Sequence, residues 1–149
     1  MELVHEFTLH AALGESFRIG GGPYGSRGVG TVAGGSVKGQ RISGELVGPG
    51  ADWVVRGTDG YAQIDVRAQI RTDDGAILYL SYNGSLELNE VTTAALAGDG
   101  STDFGDNDWF VHLRLEAGAE QYRWVNRTLF VGRGRVVADG VEYEVHRLA

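Results

Sequence analysis

Along Tyr61-Ala-Gln-Ile-Asp-Val-Arg-Ala-Gln-Ile-Arg71, side chains of two kinds alternate without interruption. Tyr61, Gln63, Asp65, Arg67, Gln69 and Arg71 fall on one face, and Ala62, Ile64, Val66, Ala68 and Ile70 on the other. Only an extended chain has a period of two, so this stretch is a strand with two chemically distinct sides. The run ends at Thr72-Asp73-Asp74-Gly75, whose Asp-Gly step is a strong hairpin signal. The same rhythm recurs through the chain: LVHEFTLHA, ESFRIG, QRISGELV up to Gly48-Pro49-Gly50, DWVVRG, AILYLSYNG breaking at Asn83-Gly84, DWFVHLRLEAG, YRWVNRTLFVG and VEYEVHRL. Each is expected to be a strand, and the turns between them carry glycine. One short helix is expected from Asn89 to Ala97, capped by Asn89, with Val91, Ala94 and Ala95 as its apolar stripe. The polar stretch 98–107 after it is expected to be a mobile loop. Many strands and so little helix define an all-β chain, and its length of 149 residues suits one domain, residues 1–149, arranged as a single mostly antiparallel β-barrel or a sandwich.

Residues 20–35, GGGPYGSRGVGTVAGG, raise a competing possibility, because Gly28-Val-Gly30-Thr-Val-Ala33 has the G-x-G-x-x-G/A form of a dinucleotide loop. That loop needs a helix after it, whose N-terminal amides hold the pyrophosphate. Here the chain continues Gly34-Gly35-Ser-Val-Lys-Gly39, a poor helix, and no Gly-Lys-Ser/Thr follows to make a P-loop. The glycines are therefore read as bulges and corners of a curved sheet. Glycines facing inward would also leave room for a ligand.

Composition excludes further classes. The formal net charge is −7 and the cations are scattered singly, so no nucleic-acid or acidic-membrane partner is expected. There is no cysteine, which removes thiolate chemistry and disulfides. No long apolar run and no basic leader occur, so a cytoplasmic location is expected. The four histidines, His5, His10, His112 and His146, lack metal-site spacing, and no G-x-S-x-G elbow is present. No metal and no cofactor are expected.

The residues left for chemistry are few. Asp65 and Arg67 share a strand face; inside a barrel they would polarise a carbonyl or bind a carboxylate, and outside they would be a solvated pair. The alternation alone leaves both open. Trp53, Tyr79, Trp109 and Trp124 lie on four expected strands, either as walls of a small-molecule pocket or as core. Asn126, two residues after Trp124, would orient a ligand carbonyl or bridge strands. His112 would serve as a proton-transfer group or sit at the surface.

An ordered set of short motifs adds a resemblance. Gly50-Ala51-Asp52-Trp53, Asp65 with Arg67, Thr72-Asp73-Asp74-Gly75 with Ile77 and Tyr79, Glu116-Ala-Gly118, Tyr122-Arg-Trp124-Val-Asn126-Arg127, then Phe130-Val-Gly132 and Gly134 resemble a bacterial and fungal domain-of-unknown-function family numbered three-two-three-seven. The likeness runs from about Phe7 to Arg147. It implies a small antiparallel β-barrel similar to allene oxide cyclase and other calycin-like barrels. The chain departs from the family's pattern at Asp108-Trp109-Phe110-Val111, where relatives carry an arginine near Phe110. If that arginine holds an anion in relatives, this chain would take a more apolar substrate.

Together these readings give an expectation: a cofactor-independent barrel enzyme acting on an apolar or aromatic metabolite by isomerisation, cyclisation or elimination. Trp53, Tyr79, Trp109 and Trp124 would be walls. Asn126 and Arg67 would stabilise developing charge, Asp65 would orient Arg67, and His112 would move a proton. The alternatives are a passive carrier barrel with the same pocket, or a structural module whose interior is filled. A homo-oligomer is compatible with either.

Overall fold

The structure is a computed structural model describing residues 1–149. Nine strands form it: β1 (Leu3–Gly22), β2 (Gly25–Gly39), β3 (Ser43–Asp52), β4 (Val55–Arg56), β5 (Tyr61–Thr72), β6 (Ile77–Glu87), β7 (Trp109–Ala117), β8 (Phe130–Val137) and β9 (Gly140–Leu148). Helix α1 (Glu90–Leu96) follows β6, and a 3-10 helix (Glu120–Arg127) precedes β8. Eight strands pair in the ring β1-β2-β3-β5-β6-β7-β8-β9 and back to β1, all antiparallel, which closes a barrel. The two-residue β4 fills the place between β2 and β5 where β3 stops.

The register settles which face of each strand is inside. Ala62, Ile64, Val66, Ala68 and Ile70 of β5 are all buried at 4% exposure or less, so the face carrying Asp65 and Arg67 is the outer wall. β6 and β7 follow suit, with Leu78, Leu80, Tyr82, Trp109, Val111, Leu113 and Leu115 inside. Each valine, leucine or isoleucine so buried stabilises the fold by roughly 1.5–3 kcal/mol.

Glycine lets the wall close. Gly84 sits between Ile64 and Val111 in the ring, and a Cβ there would lie 2.1 Å from the Phe110 carbonyl oxygen. The expected break at Asn83-Gly84 is therefore not a break: β6 runs through it to Glu87 because only a hydrogen fits against β7. In the segment 20–35, Gly20, Gly34 and Gly35 adopt positive φ beside bulges in the β1–β2 pairing, and Gly25 does so at the hairpin turn. LVHEFTLHA and ESFRIG are one strand, not two, bent by those bulges. Likewise Gly48-Pro49-Gly50 is a bulge within β3 rather than its end.

The two ends differ. At one end the segment 122–127, expected as strand, is the 3-10 helix. Its apolar residues Tyr122 and Val125 stand three apart, the spacing that lines one side of a 3-10 turn, and both are buried against the barrel interior. Below it lies Glu6, buried at 8% exposure, whose carboxylate meets Arg41 and, at 2.8 Å, Arg147. Removing that carboxylate leaves two partly exposed guanidinium groups that water still reaches, so Glu6→Ala should cost about 1–2 kcal/mol, read as a lowered urea midpoint with unchanged slope. At the other end the hairpin of β1 and β2 projects past the ring, and α1 packs beside β8. Asn89 caps α1 by accepting the Thr92 amide, as expected, but the buried face is Thr92 and Ala95, and Val91 is exposed. The loop 98–107 is pinned to β8 where Thr102 N–H donates to the Val136 carbonyl and Thr102 Oγ1 accepts the Val136 amide.

Candidate functional site

Behind the open end lies a cavity of about 310 Å³. One ring of register builds much of its wall: Ser16 opposite Gly30, Gly30 opposite Asp52, Asp52 opposite Val66, and Val66 opposite Tyr82. Ala62, opposite Leu86, itself opposite Trp109, supplies a second row. Leu88 and Leu96, at either end of the α1 segment, complete the apolar lining. Leucine, valine and isoleucine dominate the surface, so the few polar groups stand out.

Asp52 is the single acid in the lining. Its Oδ1 accepts the Asp65 amide at 3.0 Å. Burial pushes its carboxyl up to about 6; the Asp65 hydrogen bond opposes this and the Asp65 charge adds to it. Trp109 is only 2% exposed; its fully buried indole N–H makes no well-aligned hydrogen bond, but it interacts with the Tyr143 phenol and opposes the rise in that group's pKa. Tyr143 joins the two sides of the floor: its ring meets Trp109 edge-on at 5.6 Å and Tyr82 at 5.2 Å. Burial raises both tyrosine pKa values, with the Asp52 charge the next contribution at Tyr82, so both phenols stay neutral near pH 7. The indole lies across Gly134, where a Cβ would come within 2.4 Å of Trp109 Cε2.

Of the residues singled out in the sequence, the structure brings only Trp109 to this cavity. Asp65 faces outward, where its Oδ1 accepts Asn83 Nδ2 at 3.2 Å; its backbone, not its side chain, reaches the site through Asp52. Arg67 is exposed, 6.0 Å from the exposed Trp53 ring. Trp53 is one residue out of phase with Asp52 and so points away. His112 lies exposed on the outer face of β7. Trp124 belongs to the opposite end, with Arg41 stacked over it at 3.6 Å and Phe130 at 6.3 Å. Tyr79 and Asn126 share a shallow outer depression with Gln69 and Glu116. Asn126, expected on a strand face, projects instead from the 3-10 helix and imitates a neighbouring strand. Its Oδ1 accepts the Ala117 amide at 2.7 Å and its Nδ2 donates to the Ala117 carbonyl at 2.9 Å. Asn126→Ala should cost about 1–2 kcal/mol of stability in a urea titration.

Asp52, Tyr82 and Tyr143 were not singled out. A signal existed: Asp52 keeps the parity of the buried Leu46, and Tyr82 that of Leu78 and Leu80. The Gly48-Pro49-Gly50 bulge hides the first, because phase cannot be carried safely across a bulge of unknown size.

Fold and site together define a class: a closed antiparallel barrel, plugged at one end, with an apolar cavity at the other that holds one half-buried carboxyl. The chain belongs to the family described as "Protein of unknown function (DUF3237)", whose model matches residues 1–148. It is 29% identical over 149 residues to a UPF0311 protein of Rhodopseudomonas palustris, covering 99% of this chain and 97% of that one. A crystal structure of a conserved protein of unknown function from that organism superposes with a TM-score of 0.89. A beta-barrel like protein from Acinetobacter baumannii is 26% identical, with a TM-score of 0.79 over 99% of this chain and 94% of that one. A structure described as an enzyme from Penicillium herquei shares the fold at 18% identity and a TM-score of 0.73, again over 99% and 94% of the two chains.

Proposed function

We propose that the protein is a cofactor-independent barrel enzyme that moves a proton on an apolar or aromatic small molecule, giving isomerisation, cyclisation or elimination. The observation carrying this reading is a carboxyl pushed up to about 6 in the wall of a cavity that is otherwise apolar. At that value Asp52 is available both as an acid and as its conjugate base near neutral pH, the condition general acid–base catalysis favours. In the acid form it donates to an oxygen or alkene carbon of the substrate, and the carboxylate then takes a proton from another atom of the same molecule. The atoms balance without a second reactant, and an elimination releases water or another neutral leaving group. Apolar walls exclude bulk water and hold one conformer. The Penicillium herquei protein, described as an enzyme, makes catalysis the first reading to test on this fold.

The test incubates the protein with a panel of phenolic and polycyclic metabolites and follows products by mass. An enzyme of this kind gives products of unchanged mass, or of mass reduced by a neutral leaving group, and Asp52→Asn gives them at least about a hundredfold more slowly. Ligands that bind and return unaltered would make the barrel a carrier and overturn the proposal.

A further inference from the structure

The mouth of the cavity has a chemistry of its own. A second depression of about 420 Å³ adjoins it and shares Ser16, Gly30, Val54 and Arg56 with it. It also contains Arg18 and Arg27. In a chain of net charge −7, three arginines at one opening are a local reversal of sign. None of the three forms an ion pair with a carboxylate of the protein, whereas Arg41, Arg71, Arg133, Arg135 and Arg147 all do.

Register shows which of them serve the cavity. Arg18 stands opposite Gly28, two positions along β1 from Ser16, and so shares the face on which Ser16 and Gly30 line the cavity. Arg56 stands opposite Ala62 on one side and Ser26 on the other, which puts it in the row of Ala62, Leu86 and Trp109. Arg27 is one residue out of phase, and its Nη1 donates to the Trp53 carbonyl at 2.9 Å. Glycine clears the approach: a Cβ built at Gly30 meets no atom within 4 Å.

Polarity is therefore ordered along the cavity. One acid and two phenols lie among apolar walls, and guanidinium groups without a carboxylate partner lie at the opening. From this order we infer that the ligand is an amphipathic acid, with an aromatic or alicyclic body in the barrel and a carboxylate or comparable anion held at the mouth by Arg18 and Arg56. Guanidinium binds such groups by paired charge-assisted hydrogen bonds and discriminates strongly against a neutral analogue. The missing arginine near Phe110 argued for a more apolar substrate; the mouth supplies cations from a different part of the chain. The inference rests on reading the cavity as a small-molecule site, but not on catalysis.

Two dyes of matched body test it on the full chain: 1-anilinonaphthalene-8-sulfonate, which is anionic, and N-phenyl-1-naphthylamine, which is neutral. The anionic dye should bind about tenfold more tightly, and the advantage should shrink in high salt. The double variant Arg18→Gln/Arg56→Gln should weaken the anionic dye by about tenfold and leave the neutral dye within about twofold. Equal weakening of both dyes, or no weakening of the anionic one, overturns the inference. Gly30→Phe, which plugs the opening from a position with free space, should abolish binding of both. Retention of both dyes in that variant overturns the inference and the cavity reading together. Turnover in Asp52→Asn is a separate readout, so a failure of the catalytic proposal leaves the dye result standing.

Discussion

Asp52→Asn is expected to stabilise the protein at pH 8 while removing most of its activity. The sign follows from the direction of the shift. Burial raises the folded-state pKa from the usual 3.8 to about 6, so the folded protein holds this proton more tightly than the unfolded chain does. Below pH 4 both states are protonated and nothing is lost. Between about pH 4 and 6 stability falls as pH rises, and above 6 the whole penalty of the buried charge is present. A shift of roughly two units corresponds to about 3 kcal/mol at most. Asparagine keeps the oxygen that accepts the Asp65 amide and carries no charge, so it relieves the penalty without emptying the site. The melting temperature of the variant should exceed that of the wild type at pH 8 and equal it at pH 4. Turnover should fall by about 10²–10⁴-fold, the usual contribution of a general acid or base. A variant no more stable at pH 8 would mean that the carboxyl is hydrated, and a fully active one would remove it from the chemistry.

Gly134→Ala should damage the site more than the barrel. The new methyl would overlap the indole of Trp109, 2.4 Å from Cε2 and 2.7 Å from Cδ2, and the ring is packed edge-on against Tyr143. Trp109 would have to tilt towards the cavity, where there is room, and its N–H would move with it. Overpacking of this kind costs about 1–3 kcal/mol, well short of unfolding a domain of this size. Ligand affinity should fall by about tenfold or more, because the moved ring occupies ligand space. The near-ultraviolet circular dichroism of the tryptophans should change while the far-ultraviolet signal does not. Unaltered affinity together with an unaltered tryptophan spectrum would show that the indole is not held as described.

Much of the fold could be read before any coordinates. The alternation in 61–71, the Asp-Gly hairpin and the shortage of helix lead to an antiparallel barrel, because period two and tight turns are local properties. The resemblance carried by Gly50-Ala51-Asp52-Trp53 and the later motifs agrees with the family match over residues 1–148. The site was much harder to read. Asp65 and Arg67 are polar residues on the strand with the clearest pattern, yet the apolar face turns inward and takes them out of the cavity. Tyr79 and Tyr82 stand on opposite faces by parity, but the parity does not say which face is inside; pairing with β5 and β7 does. Trp124 and Val125 read as strand because apolar neighbours do not distinguish an extended run from a 3-10 turn, until Tyr122 is seen to pack with Val125. Asp52 lies beyond a bulge, where a period-two count loses its phase. What sequence lacked in each case was long-range pairing, which decides inside from outside.

No membrane-crossing helix is present. The proposed chemistry belongs to the interior cavity, and the state of one carboxyl is its most direct test. Carbon-13 NMR of aspartate side-chain carboxyls, with Asp52→Asn used for assignment, follows that carboxyl through a pH titration. A midpoint near 6 that moves when an anionic naphthalene ligand fills the barrel is the predicted result. A midpoint near the ordinary 3.8, unmoved by any ligand, would contradict the dry, hollow barrel from which the proposed chemistry is drawn.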